Sequence, residues 1–195
     1  MKYLTEREEK ILLKTVKERK GKRAERDAVL LEFGLKTGLR LSELHGLNVG
    51  DVRGMEKLYV RPETAKRSRA RILPLHKDLQ RVLKSFIKMK LQWREGIHDE
   101  DPLFVSKKKN RLSRRAIQDL FEEWCIEAGF VFNINGKIEA QYTVHSMRHT
   151  FATRLLQRGH SLTVVQKLLG HSSLASTGIY TEATFEECEE AVNAL

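Results

Sequence analysis

No run of about 18 apolar residues occurs anywhere in this 195-residue sequence, which leaves no candidate for a membrane-spanning helix. The first ten residues, MKYLTEREEK, are too charged for the apolar part of a signal peptide. A soluble, cytoplasmic protein is therefore expected. Cysteine is scarce as well: Cys125 and Cys188 are the only two, each in a helical-looking stretch, and they suit neither a disulfide framework nor a metal knuckle. Both read as packing residues. Repeats, low-complexity tracts and linkers are absent, and with 41% hydrophobic residues the chain can bury one substantial core, so a single domain spanning 1–195 is expected.

Positive charge is abundant, and it is unevenly spread. The formal net charge is +10, yet from Thr181 onward there are five glutamates and no lysine or arginine, so the rest of the chain is more cationic still. A polyanion such as nucleic acid is the expected partner, with an acidic membrane surface as the weaker alternative.

The apolar pattern predicts a mainly helical domain with a small antiparallel β part. Thr5 and Glu8 have capping-box spacing ahead of Ile11, Leu12 and Val16. Residues 28–35 read as a mostly buried helix ended by Gly38, and Ser42 is placed to cap the next one, which carries Leu44 and Leu47. Segments 58–60 and 72–75 form a hairpin around a basic connection. A long helix bears Leu79, Val82, Leu83, Phe86 and Trp93, and DPLFVS follows as a short extended piece. Ser113 opens a helix closed by Gly129, and Asn135-Gly136 marks a type I′ turn in a second hairpin. Three helices close the chain: 146–157, stopped by Gly159; 162–169, between Ser161 and Gly170; and an acidic one with Phe185, Cys188, Val192 and Leu195 on one stripe.

The segment HSMRH, residues 145–149, bears the most pointed chemistry. His145 and His149 are four apart, which suits zinc, but Ser146 stands where a metalloprotease helix needs glutamate and no third ligand is near. No metal site is expected. If the segment begins a helix, then His145, Arg148 and the first-turn N–H groups favour an anion, because arginine forks onto two phosphate oxygens.

Together with TGLRLSELHGL and LLGHSSLASTGIYT, the segment HSMRHTFATRLL resembles the tyrosine recombinase family, also called the phage integrase family. His171 follows Arg148 by 23 residues and Tyr180 comes nine later, and the resemblance runs from Tyr3 to Glu190, essentially the family's catalytic domain. It implies that family's catalytic-domain fold and an active site of Arg40, hairpin Lys66, His145 with Arg148, His171 and the nucleophile Tyr180. It further implies a site-specific DNA recombinase that cleaves and rejoins double-stranded DNA through a 3′-phosphotyrosyl intermediate, without metal, ATP or cofactor. Integration, excision or inversion of a mobile element would follow, on a self-associated assembly that is tetrameric in the family. Such a protein would be nucleoid-associated when bound to DNA.

The residue types fit that chemistry. Phosphodiester transfer concentrates negative charge on the non-bridging oxygens, which two guanidiniums and imidazole donors stabilise. A tyrosine with a pKa near 10 needs about 4 kcal/mol to ionise at neutral pH, and His145 is the candidate to help it. Lys66 is the candidate donor of a proton to the leaving 5′-oxygen. Glu43, one turn after Arg40, is expected to orient that arginine or complete a helix start rather than do acid-base work, and His149 to be a buried hydrogen-bonding support. Arg67, Arg69 and Arg71 are expected to be solvent charges facing phosphate. The run SKKKNRLSRR adds Lys107, Lys108, Lys109, Arg111, Arg114 and Arg115 as backbone contacts to DNA. The acidic end, about 181–195, is expected to pack on its own domain or, as the family suggests, on a neighbouring subunit.

Other functions remain open at this point. Relaxation of DNA in the manner of type IB topoisomerases uses the same residues, and a DNA-binding regulator could keep the fold without the reaction. The family's usual preceding helical DNA-binding domain has no counterpart here, as in a truncated chain or a single-domain member.

Overall fold

The computed structural model describes residues 2–54, 56–62, 70–170 and 183–195, except for the side chain of Lys22. Three helices begin the chain: α1 (Glu6–Glu18), α2 (Lys22–Thr37) and the short α3 (Leu41–Gly46), then a 3-10 turn at Gly50–Val52. The strands β1 (Lys57–Val60) and β2 (Arg71–Pro74) pair antiparallel, with Leu58 opposite Leu73. Next come α4 (Lys77–Gln92) and α5 (Arg114–Glu127), then β3 (Val131–Ile134) and β4 (Lys137–Ala140), also antiparallel. The chain closes with α6 (His145–Gln157), α7 (Leu162–Leu169) and α8 (Phe185–Asn193). The fold is mainly α with two small antiparallel hairpins, as the apolar pattern predicts.

Local chemistry sets most boundaries. The Thr5–Glu8 capping box starts α1, and the Ser113 and Ser161 hydroxyls accept first-turn N–H bonds of α5 and α7. Asn135 and Gly136 both take positive φ, 53° and 82°, which is the type I′ turn the sequence predicts. One expected cap is wrong. Helix α3 starts from Arg40, not Ser42, because the Glu43 carboxylate reaches back to accept the Arg40 backbone N–H at 2.8 Å.

The core is continuous from Leu12 and Val16 of α1 through Leu30, Leu31 and Phe33 of α2 to Phe121 and Trp124 of α5 and Phe151 of α6. Each such side chain contributes roughly 1.5–3 kcal/mol of transfer free energy. Three contacts fix where α6 lies. A Cβ at Gly38, which ends α2 with φ 60°, would come within 2.5 Å of the Phe151 ring, so the absence of a side chain lets the α2 terminus sit against α6. On the other flank, the Leu4 N–H donates to Thr150 Oγ1 at 2.9 Å, and Arg154 pairs with Glu9 at 2.7 Å.

The acidic helix α8 is itself started by a capping box, Thr184 with Glu187, and packs on α7 and β2 of its own chain through Cys188, Ala191 and Val192. Both cysteines are buried, as expected of packing residues, and burial pushes the Cys125 thiol up to about 12. Among the described residues no helix is long and apolar enough to cross a membrane.

Candidate active site

Helix α7 ends at Gly170 in the left-handed region, φ 64°. Its last carbonyls have no partner within the helix and carry the negative end of its dipole, so they attract cations. Three arginines from distant parts of the chain supply them. Arg71 Nε donates to Leu168 O at 3.2 Å, Arg148 Nη2 to Leu169 O at 2.7 Å, and Arg40 Nη2 to Gly170 O at 3.4 Å. Arg148 Nη1 also donates to Gly38 O at 2.7 Å, at the end of α2. Arg40 and Arg148 therefore meet, although more than 100 residues separate them.

Glu43 is the counter-charge. Its side chain is buried, and Arg71 forks onto it, Nη1 to Oε1 at 2.8 Å and Nη2 to Oε2 at 3.0 Å, while Arg40 Nη1 reaches Oε1 at 3.2 Å. Burial alone would raise the pKa of this carboxyl. The hydrogen bonds and charge of Arg71, then those of Arg40, outweigh that and hold it below the usual carboxylate value.

Among the described residues, three guanidiniums around one carboxylate leave an excess of two positive charges, and Arg148 registers it. Burial first, then the charges of Arg40 and Arg71, lower its pKa to about 10 against the pull of Glu43, so it stays protonated at neutral pH. An arriving anion would relieve that repulsion. The side chain of Arg40 is 36% exposed and that of Arg71 only 10%, so Arg40 faces solvent and Arg71 stands behind it.

His145 is the first residue of α6 and is exposed; three residues before Arg148, it shares that arginine's side of the helix. It lines an open cleft with Arg115, Gln118, Lys137 and Thr143. His149 departs from expectation. It is half-buried, its pKa lowered first by desolvation and further by His145 and Arg148, but among the described residues its ring makes no hydrogen bond. The reason is its place on α6, opening onto a surface recess with Gln141, Thr143 and Ser146.

Two of the expected phosphate-facing arginines are turned inward. Arg71 is held by Glu43 and Leu168 as described, and Arg111 caps the end of α3. Its Nη1 donates to His45 O at 3.0 Å and Leu47 O at 2.8 Å, and its Nη2 to Asn48 Oδ1 at 2.5 Å. A period of two would have found the first, because Leu73, two residues on along β2, is buried, which turns Arg71 the same way. Lys107, Lys108, Arg114 and Arg115 are exposed, Arg115 pairing with Asp119 at 2.8 Å; Lys109, also exposed, donates to Arg94 O at 3.1 Å. Among the described residues no three His, Cys, Asp or Glu side chains are grouped to hold a metal. Lys66, Arg67, Arg69, His171 and Tyr180 lie outside the described residues.

Residues 2–187 match the family model described as the phage integrase family. This chain belongs to that family. It is 37% identical over 161 residues to the tyrosine recombinase XerC of Psychromonas ingrahamii, covering 83% of this chain and 50% of that protein. It is likewise similar, at 25% identity and TM-score 0.71, to the crystal structure of XerA recombinase, over 100% of this chain and 61% of that one. The XerH site-specific recombinase bound to its difH substrate, in a pre-cleavage complex, matches at 25% identity and TM-score 0.68 over 88% of this chain and 47% of that one. The chain spans about half the length of the curated relatives it matches.

Proposed function

We propose that this chain is the catalytic part of a site-specific recombinase acting on double-stranded DNA. The phenol oxygen of Tyr180 attacks the scissile phosphorus, the bond to the 5′-oxygen breaks, and a 3′-phosphotyrosyl link forms. His145 takes the phenol proton, and Lys66 gives one to the departing 5′-oxygen. Arg40 and Arg148, with His171, stabilise the charge on the non-bridging oxygens. Each preorganised donor of this kind is typically worth roughly 3–4 kcal/mol of barrier. Because the phosphodiester energy stays in the covalent link, a strand hydroxyl can rejoin the DNA with no ATP or metal. Attack by a partner strand's hydroxyl gives recombination, the outcome that the named relatives' activity favours.

One observation carries this reading: Arg40 and Arg148 converge on the end of α7 and, among the described residues, bring more positive charge there than Glu43 neutralises. The exposed Lys107, Lys108, Arg114 and Arg115 supply backbone contacts to the duplex. The working form is a multimer on DNA, with the acidic C-terminal segment as one place where protomers could meet.

Incubation with a nicked suicide DNA duplex tests the reaction. A protein–DNA adduct that survives denaturant is expected, and none with Tyr180→Phe. Bound DNA without any adduct from the wild-type chain would refute the reading. A two-site recombination assay beside a supercoil-relaxation assay then separates strand exchange from relaxation.

A further inference from the structure

Arg71 has neither the solvent exposure of a DNA contact nor a place among the residues that the family resemblance assigns to catalysis. We propose that it is a positioning residue for the strand-transfer reaction proposed above, holding Glu43 in the charged form that fixes Arg40 and securing the α7 end from which residue 171 continues.

Its contacts leave little else for it to do. One planar guanidinium satisfies both oxygens of Glu43 and, through Nε, the Leu168 carbonyl. A Cβ at Gly170 would lie 2.7 Å from Arg71 Nη1, so the glycine that ends α7 is also what lets the guanidinium lie against that turn. Arg71 is the first residue of β2, so the same side chain ties the β1–β2 pair to the arginine cluster. Lysine would not replace it. An ammonium is a point charge that cannot meet two carboxylate oxygens and a carbonyl in one plane.

A specific signature follows from the competition at Glu43. With Arg71 present, the carboxyl is held below its ordinary value, so its charge does not change near neutral pH. Without Arg71, the desolvation that is already the largest influence on this group is opposed only by what Arg40 and Arg148 supply, and the pKa of Glu43 rises. Arg40 then loses its ionic anchor as the pH falls. Lowered exposure of Arg40 to phosphate is not involved, so DNA affinity should change little.

The test measures single-turnover adduct formation on suicide DNA for wild type, Arg71→Met, Arg71→Lys and the double variant Arg71→Met/Glu43→Gln, from about pH 8 to about pH 5.5. Arg71→Met should cleave roughly 10–100-fold more slowly than wild type at the upper end, as when outer partners of a catalytic group are removed elsewhere, and fall further on acidification. DNA affinity should stay within about twofold, since every phosphate keeps its partner. The double variant should lose the added acid dependence, because it has no carboxyl to titrate. Arg71→Lys, the milder change, carries the test if Arg71→Met does not fold, and should show the same acid limb in weaker form. Wild-type rates in the Arg71 variants, or a slower rate with an unchanged pH profile, would overturn the proposal; a loss confined to DNA affinity would do so too, making Arg71 a DNA contact. Melting temperature is read over the same pH range, where a Glu43 carboxyl raised above its unfolded value of 4.5 takes up its proton more readily in the folded chain, so Arg71→Met should lose less stability on acidification than wild type. A wild-type chain that forms no adduct refutes the reaction itself, and in that case parallel melting profiles would refute the Arg71–Glu43 coupling separately.

Discussion

The C-terminal ends of α7 and α3 are both wrapped by arginines, and they differ in what charge is left over. At α3, Arg111 and Arg61 donate to the carbonyls of His45, Gly46 and Leu47, Asp51 pairs with Arg61 at 3.2 Å, and Asn48 takes the remaining fork of Arg111. Among the described residues, two guanidiniums there face one carboxylate and a neutral amide. At α7 a third arginine joins, the carboxylate is the fully buried Glu43, and Arg40 is left partly exposed. An arginine at a helix end is thus an ordinary capping device. What makes the α7 end a candidate for phosphate is the surplus charge among the described residues, the access through Arg40, and the place of His145 one helical turn before Arg148 on α6.

The largest effect should fall on the α7 side. Arg148→Ala should slow adduct formation by roughly 10²–10³-fold, the usual consequence of losing one preorganised donor, while DNA is still bound. If Arg111→Met slows cleavage equally in the same assay, the two ends are not functionally distinct and the comparison fails.

Glu43→Gln keeps the shape of the site and removes its counter-charge. A loss of roughly tenfold to hundredfold in cleavage is expected, as for outer partners of catalytic groups generally, and is checked by the same single-turnover assay. Arg111→Met, by contrast, should act on stability. Stripping the bonds to the α3 carbonyls should cost about 1–3 kcal/mol in chemical denaturation, with the rate of adduct formation on bound DNA retained.

Acid pH sharpens the contrast at a single group. The pKa of Glu43 is depressed in the folded chain, so its contribution to stability is fully present above the unfolded value of 4.5 and is lost as pH falls through the lower folded value. Wild-type melting temperature should therefore drop in that acid window by more than that of Glu43→Gln. The smallest effect is expected at the exposed run. Lys107→Ala with Lys108→Ala should lower the slope of log affinity against log salt by about 0.9 for each phosphate that is no longer neutralised, leaving cleavage of bound DNA unchanged.

Much of this was legible in the sequence, and for a physical reason. Thr5, Gly38, Ser113, Asn135-Gly136, Ser161 and Gly170 act through bonds within a few residues of themselves, so their positions announce them. The family motifs likewise mark Arg40, His145 and Arg148 by short-range spacing. Ser42 misled because the carboxylate that completes the box belongs to Glu43, three residues after Arg40. Arg71 and Arg111 misled for another reason. Each is a long cation in a basic stretch, and which carbonyl such a side chain reaches is decided by how α3, α7 and β2 meet, which no local pattern contains.

The most direct measurement is a structure of the Tyr180→Phe chain bound to an intact duplex target. The account predicts one phosphorus atom with non-bridging oxygens within hydrogen-bond reach, about 3 Å, of both Arg40 and Arg148, with Glu43 still forked by Arg71 behind them. A duplex seated elsewhere, with both arginines still turned to the α7 carbonyls and no phosphate between them, would contradict it.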